Sequence, residues 1–321
     1  MALIKTELSQ YIKEEANKLG FSFTGISAAT YLEDQEPLLK QWLQEKLNGE
    51  MTYMENHLEK RLDPRLLVSN AKSVITVLQN YYPEHHQSGK SKYKISKYAY
   101  GKDYHHVIKK KLKKLLACIE ERTGTLQASI FVDSAPVMDK VWAQRSGLGW
   151  IGKNTCLINK KIGSFCFIGH IITNIELEYD SPYSHDHCGT CTRCIDACPT
   201  KAIIKPYIIK ASKCISYLTI ENKRELPPTS THKLNNWIFG CDICQDVCPW
   251  NRFAKPHDEE SFHPKHYLLK LKKENWESLN KKDFNKFFKD SAIKRTKYKG
   301  LMRNINAILK EEKVRMDYNK K

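Results

Sequence analysis

Hydrophobic positions in the first half of the chain predict a domain that mixes strands and helices. Residues 73–78, 129–132 and 165–172 are short apolar runs of the kind that form buried strands. Residues 104–122 and residues 1–19 carry apolar side chains at helical spacing. The apolar face of the 104–122 helix comprises Ile108, Leu112, Leu115, Leu116 and Ile119, and its opposite face is rich in lysine. Residues 1–178 are therefore expected to form an α/β domain.

Two further segments follow with different patterns. Residues 179–255 contain short apolar stretches among many cysteines, which indicates a domain where metal ligation replaces part of the core. Residues 256–321 are lysine-rich with helical spacing, and Trp276, Leu279 and Phe284 are the expected anchors. The predicted fold class is α+β, with an α/β domain at 1–178, a ferredoxin-like domain at 179–255 and a basic helical segment at 256–321.

Composition narrows the possible partners. The chain has 321 residues, and 41% of them are hydrophobic, which is enough to form hydrophobic cores. The sequence contains no apolar stretch long enough to span a bilayer. Its formal net charge is +17. A field of that sign attracts polyanions, of which nucleic acid is the usual one. The alternative is a solvated lysine-rich surface without a partner.

Eight of the eleven cysteines form two runs, and each run ends in Cys-Pro. The first run is Cys188-x-x-Cys191-x-x-Cys194-x-x-x-Cys198, and the second is Cys214 followed by Cys241-x-x-Cys244-x-x-x-Cys248. Such runs are typical of paired [4Fe–4S] clusters, in which the fourth cysteine of a run ligates the other cluster. The spacing predicts that one cluster is held by Cys188, Cys191, Cys194 and Cys248. The other is held by Cys198, Cys214, Cys241 and Cys244.

Zinc sites and disulfides are the alternatives for these cysteines. Zinc sites usually combine two CxxC pairs, and disulfide scaffolds are usually short secreted chains. Residues 1–19 lack the pattern of a signal peptide. Cys118, Cys156 and Cys166 are expected as small core residues. Free thiols beside oxygen-sensitive clusters favour a reducing cytoplasm.

A second candidate site lies in the α/β domain, because an electron carrier alone would not need that domain. Asp133 ends a predicted strand, where it could cap a turn or act as an acid in a cleft. Gly147-x-Gly149-x-x-Gly152 matches a dinucleotide-binding pattern, but no helix is predicted after it, so an ordinary turn is the alternative.

Several stretches together resemble the epoxyqueuosine reductase family, the cobalamin- and iron–sulfur-dependent enzymes of the last step of queuosine synthesis on tRNA. The matching stretches are residues 96–106, 132–136, 145–154 and 294–304 and both cysteine runs. The resemblance implies a fold related to reductive dehalogenases. It also implies a cobalamin held base-off between the α/β domain and the cluster domain. The D-x-H-x-x-G motif of proteins that bind cobalamin through a histidine is absent, because Asp103-Tyr104-His105 is followed by Ile108 where the motif has glycine. Its absence is consistent with base-off binding.

The resemblance also implies roles for individual residues. Asp133 maps onto the acid of the family, and we expect burial to raise its pKa so that it can donate a proton to the departing oxygen. Ser96, Lys140, Lys153 and Asn154 map near the corrin, and Ser216 and Tyr217 are further candidates. The implied reaction is the reduction of epoxyqueuosine to queuosine in the anticodon loop. Electrons would pass through both clusters to cobalamin from an external low-potential donor, such as a reductase, a flavodoxin or a ferredoxin.

The chain departs from many family members by ending soon after residue 304, where those members continue into a helical repeat. Any tRNA contact that this extension provides is therefore expected to be absent here or to be supplied by basic residues elsewhere, which would meet the phosphates. The candidates are Lys223, Arg224, Lys294, Arg295, Lys297, Lys299 and Arg303. We expect a cytoplasmic monomer that does not bind membranes.

Two other functions compete with this one. A reductive dehalogenase would normally carry a twin-arginine export signal, which residues 1–20 lack. A ferredoxin-like electron carrier with a docking domain would bind no corrin.

Overall fold

A four-stranded antiparallel sheet forms the centre of the first half of the protein. The structure is a computed structural model and describes residues 2–87 and 91–318. The strands are β1 Phe23–Ala28, β2 Ser73–Asn80, β3 Lys94–Ile95, β4 Ala128–Phe131, β5 Trp150–Ile151, β6 Leu157–Ile158, β7 Cys166–Thr173, β8 Ile203–Lys205, β9 Ile208–Ile209 and β10 Trp237–Phe239. The central sheet has the order β1-β2-β7-β4.

Helices surround this sheet and the cysteine-rich region. The α-helices are α1 Ala2–Lys18, α2 Glu36–Gln44, α3 Leu58–Leu62, α4 Tyr104–Thr123, α5 Asp139–Arg145, α6 Arg193–Ala197, α7 Ile215–Ile220, α8 Pro228–Thr231, α9 Ile243–Asp246, α10 His266–Lys270, α11 Lys273–Glu277, α12 Lys281–Phe287 and α13 Lys297–Tyr318. Short 3₁₀ turns lie at Thr52–Met54, Pro64–Leu66, Lys97–Ala99, Ala211–Lys213, Pro249–Phe253, Glu260–Phe262 and Ala292–Thr296.

Both faces of the sheet are covered. Every residue of β2 is buried, and successive side chains point to opposite faces. Ile75 packs with α1 and α4 on one face, whereas Val74 packs with α2 and α5 on the other. The predicted strands at 73–78, 129–132 and 165–172 and the helices at 104–122 and 1–19 are confirmed within the described residues. Pairing between β2 and β7, and between β4 and β7, is antiparallel, as an α+β fold allows.

The cysteine-rich region shares a hydrophobic core with the C-terminal helices. Ile238 of β10, Leu218 of α7 and Leu301 of α13 belong to one buried cluster, which also includes Tyr93. Asn304 is fully buried, and its Nδ2 donates to the carbonyl oxygens of Thr219 (2.8 Å) and Ile238 (2.9 Å). Helix α13 therefore supports the strand that leads into Cys241. The boundaries predicted at residues 178 and 255 remain a prediction.

The glycine pattern at residues 147–152 forms a turn and a hairpin. Helix α5 ends at Arg145, Gly147 has a φ of 74°, and β5 pairs with β6 directly afterwards. A dinucleotide site of the expected type would need a helix there, so the turn interpretation is correct.

Within residues 2–87 and 91–318, every helix is too short or too polar to cross a bilayer.

Candidate redox and acid site

The first cysteine set surrounds one cavity. Cys188, Cys191, Cys194 and Cys248 all line a cavity of about 240 Å³. Burial raises the pKa of the Cys194 thiol to about 11, and the charges of Cys188 and Cys248 act in the same direction. Thiols gathered in this way favour the thiolate state only when a cation binds them. The donor set and the cavity thus fit an iron–sulfur cluster, as the spacing predicts.

The second set gathers in a more enclosed environment. Burial raises the pKa of Cys214 and of Cys241, and each feels the charge of Cys198. The pKa of Cys244 is also raised, first by a hydrogen bond with Cys156 and then by burial, and Cys214 and Cys241 contribute to the shift. These influences show that the four cysteines lie near one another, and their assignment to one cluster remains a prediction. Cys156, expected as a core residue, adds a half-buried thiol beside this set.

Two of the residues predicted near the corrin hold the cysteine loops. Lys153 Nζ donates to the carbonyl oxygens of Gly189 (2.5 Å) and Cys191 (3.1 Å) in the first run. Asn154 Nδ2 donates to the carbonyl oxygen of Cys244 at 3.4 Å. Both side chains are buried and lie between the two runs. Their position explains a structural role, and a contact with the corrin remains a prediction.

The other predicted corrin residues also lie around the second set. Ser96 is 2% exposed, and its backbone N–H donates to the carbonyl oxygen of Phe239 at 2.9 Å. Gly240 has a φ of +69°, and an added Cβ there would overlap with Ser96 Oγ. Lys140 is exposed and donates from Nζ to the carbonyl oxygen of Thr155 at 2.7 Å. The backbone of Ser216 donates a hydrogen bond to the sulfur of Cys214.

The side chains of Tyr104 and His105 border the cleft that the sequence predicts at Asp133. The φ of Asp133 is 56°, in the left-handed region that aspartate tolerates. Tyr104 Oη donates to Asp133 Oδ2 at 2.6 Å, and His105 Nε2 lies 3.3 Å from the same oxygen. The Asp133 side chain remains 62% accessible. A ligand in the cleft can therefore reach its carboxylate.

The expected protonation of Asp133 is wrong for this structure. The neighbouring groups partly desolvate the accessible carboxyl group and so raise its pKa, but hydrogen bonds from His105 and Tyr104 outweigh this effect, and the charges of His105 and Arg295 add to them. The pKa of Asp133 consequently lies below its usual range. Conversely, the pKa of His105 rises to about 9, because its carboxylate partners Asp103 and Asp133 outweigh the effect of desolvation.

Tyr104 and His105 are functional candidates to which the sequence analysis assigned no role. They belong to the 96–106 stretch that carried the family resemblance, which was the available signal. Their contact with Asp133 joins positions 28 or more residues apart, so spacing alone could not reveal it.

Aromatic side chains connect this cleft with the second cysteine set. The Tyr98 ring lies 6.1 Å from that of Tyr104 and 5.9 Å from that of Phe239, measured between centroids. Phe239 ends β10, two residues before Cys241. The first set instead lies beside a surface groove of about 840 Å³ that Cys248, Arg193 and Arg252 help to line.

The predicted phosphate-binding residues divide into two groups. Arg303 Nη1 and Nη2 donate to the carbonyl oxygens of Asn222 (2.6 Å), Arg224 (2.7 Å) and Leu218 (2.8 Å). The prediction that Arg303 contacts phosphate is therefore wrong, because its guanidinium is used within the fold. Arg295 pairs with Glu221, and Arg224 pairs with Glu50. The second group consists of the lysines among the predicted phosphate-binding residues, and all four are exposed: Lys223, Lys294, Lys297 and Lys299.

Comparisons with known families agree with both halves of the site. A family described as a 4Fe-4S double cluster binding domain matches residues 187–251, which include all eight cysteines of the runs. That match excludes the zinc and disulfide alternatives. A second family, described as epoxyqueuosine reductase QueG, matches residues 61–134 and ends just after Asp133.

Similar proteins cover nearly the whole chain. The epoxyqueuosine reductase of Cellulophaga algicola is 58% identical over 94% of this chain and 98% of its own length. That of Cyclobacterium marinum is 53% identical over 94% and 97%. An epoxyqueuosine reductase solved with an epoxyqueuosine-modified tRNA-Tyr stem loop is 29% identical, with a TM-score of 0.87 over 94% of this chain and 81% of that one. From these identities and coverages we conclude that the chain belongs to the epoxyqueuosine reductase family.

Proposed function

We propose that this protein reduces epoxyqueuosine in tRNA to queuosine, with electrons that pass through two [4Fe–4S] clusters to cobalamin and with Asp133 as the proton donor. The observation that carries the proposal is the junction at Tyr98. This ring connects the Tyr104–Asp133 pair with the strand that leads to Cys241. With a cluster on Cys241, an acid and an electron-delivering centre would lie at the two ends of this aromatic contact, as reductive removal of an oxygen requires.

The proposed electron route starts at the surface groove. The first cluster, on Cys188, Cys191, Cys194 and Cys248, would accept electrons from an external low-potential donor. Cys248 makes this cluster the entry point, since it also lines that groove. The more enclosed cluster on Cys198, Cys214, Cys241 and Cys244 would pass them to the cleft. Two clusters in series can deliver the electrons one at a time.

The cleft supports cobalamin as the acceptor of these electrons. The carboxylate of Asp133 is accessible, and Lys140 is exposed where it donates to the carbonyl oxygen of Thr155, so both side chains would offer polar contacts to a corrin. Four residues beside the cysteine loops would hold the corrin from that side: Ser96, Lys153, Asn154 and Ser216. When bound, cobalamin supplies a strongly reducing metal centre for the epoxide carbon, and the protein positions the substrate and moves protons.

The substrate end of the proposal rests on charge and on a relative. That relative, at 29% identity, was solved with a modified tRNA stem loop. Loop nucleotides can leave the stack at low cost, so the modified base can enter a cleft. Exposed Lys294, Lys297 and Lys299 would meet the phosphates, in the cytoplasm where tRNA is available.

The test is an anaerobic reaction of the reconstituted protein. Protein with both clusters, cobalamin, a chemical reductant and epoxyqueuosine-modified tRNA is incubated, and the digested nucleosides are weighed by mass spectrometry. A product one oxygen lighter that depends on cobalamin supports the proposal. An unchanged nucleoside with clusters and corrin bound refutes the substrate, and failure to bind corrin indicates an electron carrier.

A further inference from the structure

Asp133 is the outer end of a short chain of proton-carrying groups. His105 Nε2 lies 3.3 Å from Asp133 Oδ2, and His105 Nδ1 lies 2.7 Å from Asp103 Oδ1. Tyr104 Oη donates to the same Asp133 oxygen at 2.6 Å. The histidine ring therefore bridges two carboxylates, one facing the cleft and one behind it.

This arrangement requires a charged imidazole. A neutral histidine donates from only one ring nitrogen, whereas ionised carboxylates can only accept. Both nitrogens of His105 face carboxylates, so both must carry protons. The pKa of His105 is raised to about 9, and those of Asp103 and Asp133 are lowered, in agreement with that geometry. At neutral pH the proton therefore resides on His105.

Local structure fixes the ring in place. Asp103 caps helix α4 by accepting from the backbone N–H of His105 at 3.0 Å. Tyr104 stacks on Phe167, with centroids 4.3 Å apart and planes at 6°, and on His105 at 4.1 Å. The His105 side chain is 24% exposed and that of Asp133 is 62% exposed. Asp133 thus faces a ligand, while His105 stands behind it.

Other ionisable groups around Asp133 are poor sources of a proton. Burial raises the pKa of Tyr53 to about 12 and raises those of Tyr98 and Tyr104 further. Arg295 pairs with Glu221 and stays protonated. His105 is therefore the group beside Asp133 that exchanges a proton near physiological pH.

The reaction needs such a source. Removal of an epoxide oxygen as water consumes two electrons and two protons and leaves an alkene. One proton reaches the oxygen when the first C–O bond opens, and another when the second C–O bond breaks and water departs. Asp133 holds at most one proton, and it is ionised at rest, so it must be loaded during each turnover.

We propose that His105, held as an imidazolium by Asp103, is the proton reservoir that loads Asp133 during reduction of the epoxide. This inference rests on the proposed function. Each loading step moves one proton from His105 Nε2 to Asp133 Oδ2 and leaves a neutral imidazole. After Asp133 has passed its proton on, His105 Nε2 regains a proton from water, which can approach because the side chain is 24% exposed. His105 acts through Asp133 and is a positioning and proton-supplying residue.

The first test needs no substrate. Full-length protein with oxidised clusters and ¹⁵N-labelled histidine is titrated by NMR. We expect one imidazole, absent in His105→Gln, to titrate near pH 9. In Asp103→Asn, which preserves the helix cap, its midpoint should fall by about one pH unit or more. A His105 midpoint near the ordinary value of 6.5 in the wild-type protein would overturn the proposal.

The second test is the pH profile of single-turnover epoxide reduction. The wild-type rate should fall as pH rises through about 9, the Asp103→Asn limb should move to lower pH, and His105→Gln should lose about 100-fold in rate and lack that limb. His106→Gln is the matched control, since His106 is the exposed neighbour on α4, and it should keep the wild-type profile. An unmoved limb in Asp103→Asn would contradict the reservoir. A wild-type protein that makes no product would refute the proposed function itself, whereas the NMR result would still stand.

Discussion

Substituting Asp133 by asparagine separates proton donation from every other contribution of this side chain. Asparagine keeps the size of aspartate, and its Oδ1 can still accept the 2.6 Å hydrogen bond from Tyr104 Oη. It cannot carry a proton to the departing oxygen. Since the side chain is 62% accessible, its ion pair with His105 contributes little to folding. We therefore expect a folded variant that binds tRNA normally.

The expected loss is large and confined to the chemical step. Positioned general acids contribute about 10²- to 10⁴-fold in rate. That range corresponds to about 3–5 kcal/mol of transition-state stabilisation. The pKa of His105 should also fall in Asp133→Asn, because one of the two carboxylates that raise it is lost.

Single-turnover reduction of epoxyqueuosine-modified tRNA, at saturating enzyme and under anaerobic conditions, measures this step directly. The matched control is Ser134→Ala in the same turn, because Ser134 is exposed and its hydroxyl donates only to the carbonyl oxygen of Val132 at 3.3 Å. A rate within about threefold of wild type in Asp133→Asn would refute the acid role. Equal losses in tRNA affinity and rate would instead assign Asp133 to substrate binding.

Three further predictions concern stability and cofactor content. Arg303→Met should lower the free energy of unfolding in urea by about 3 kcal/mol, because three backbone carbonyls, two of them part-buried, lose a charged donor. Lys299→Met, an exposed change on the same helix, should stay within about 0.5 kcal/mol. Cys191→Ala and Cys241→Ala should each retain about half of the iron, measured by iron analysis and EPR after reconstitution, and a variant that keeps all of it would contradict the ligand assignment. The pKa of His105 rises from 6.5 to about 9 on folding. The protonated side chain therefore stabilises the folded state fully below pH 6.5, and this stabilisation is lost as the pH rises through 9. Unfolding in urea should show a loss of about 1–2 kcal/mol over that range, because solvent screens the part of the pKa shift that comes from the accessible Asp133, and this loss should be absent in His105→Gln.

Local patterns predicted the elements but not their neighbours. Residues 73–78 and 165–172 are mostly apolar, which predicts buried strands, and they form the central pair β2 and β7. Strand β1, the edge strand that pairs with β2, was not predicted. Its segment Phe23–Ala28 has a burial pattern with no regular alternation, and its pairing depends on a partner about 50 positions away.

The roles of polar residues depended most on tertiary contacts. Arg303 is one of many basic residues in a chain of net charge +17, and nothing in the sequence distinguishes it from Lys299. In the structure Arg303 lies against the carbonyl end of α7 and donates to it, whereas Lys299 faces solvent. Burial was expected to raise the pKa of Asp133, and the direction was wrong because the hydrogen-bond donors Tyr104 and His105 come from a distant helix.

The amino-acid sequence by itself determined the redox chemistry, since the identity and spacing of eight cysteines specify two clusters regardless of how the rest folds. It also determined the family, because stretches that are typical of that family are spread over almost the entire chain. Only the tertiary structure decided which groups share the proton at Asp133 and which aromatic rings lie between Tyr104 and β10. Protonation depends on distances of about 3 Å between side chains that are far apart in the chain, and folding alone sets those distances.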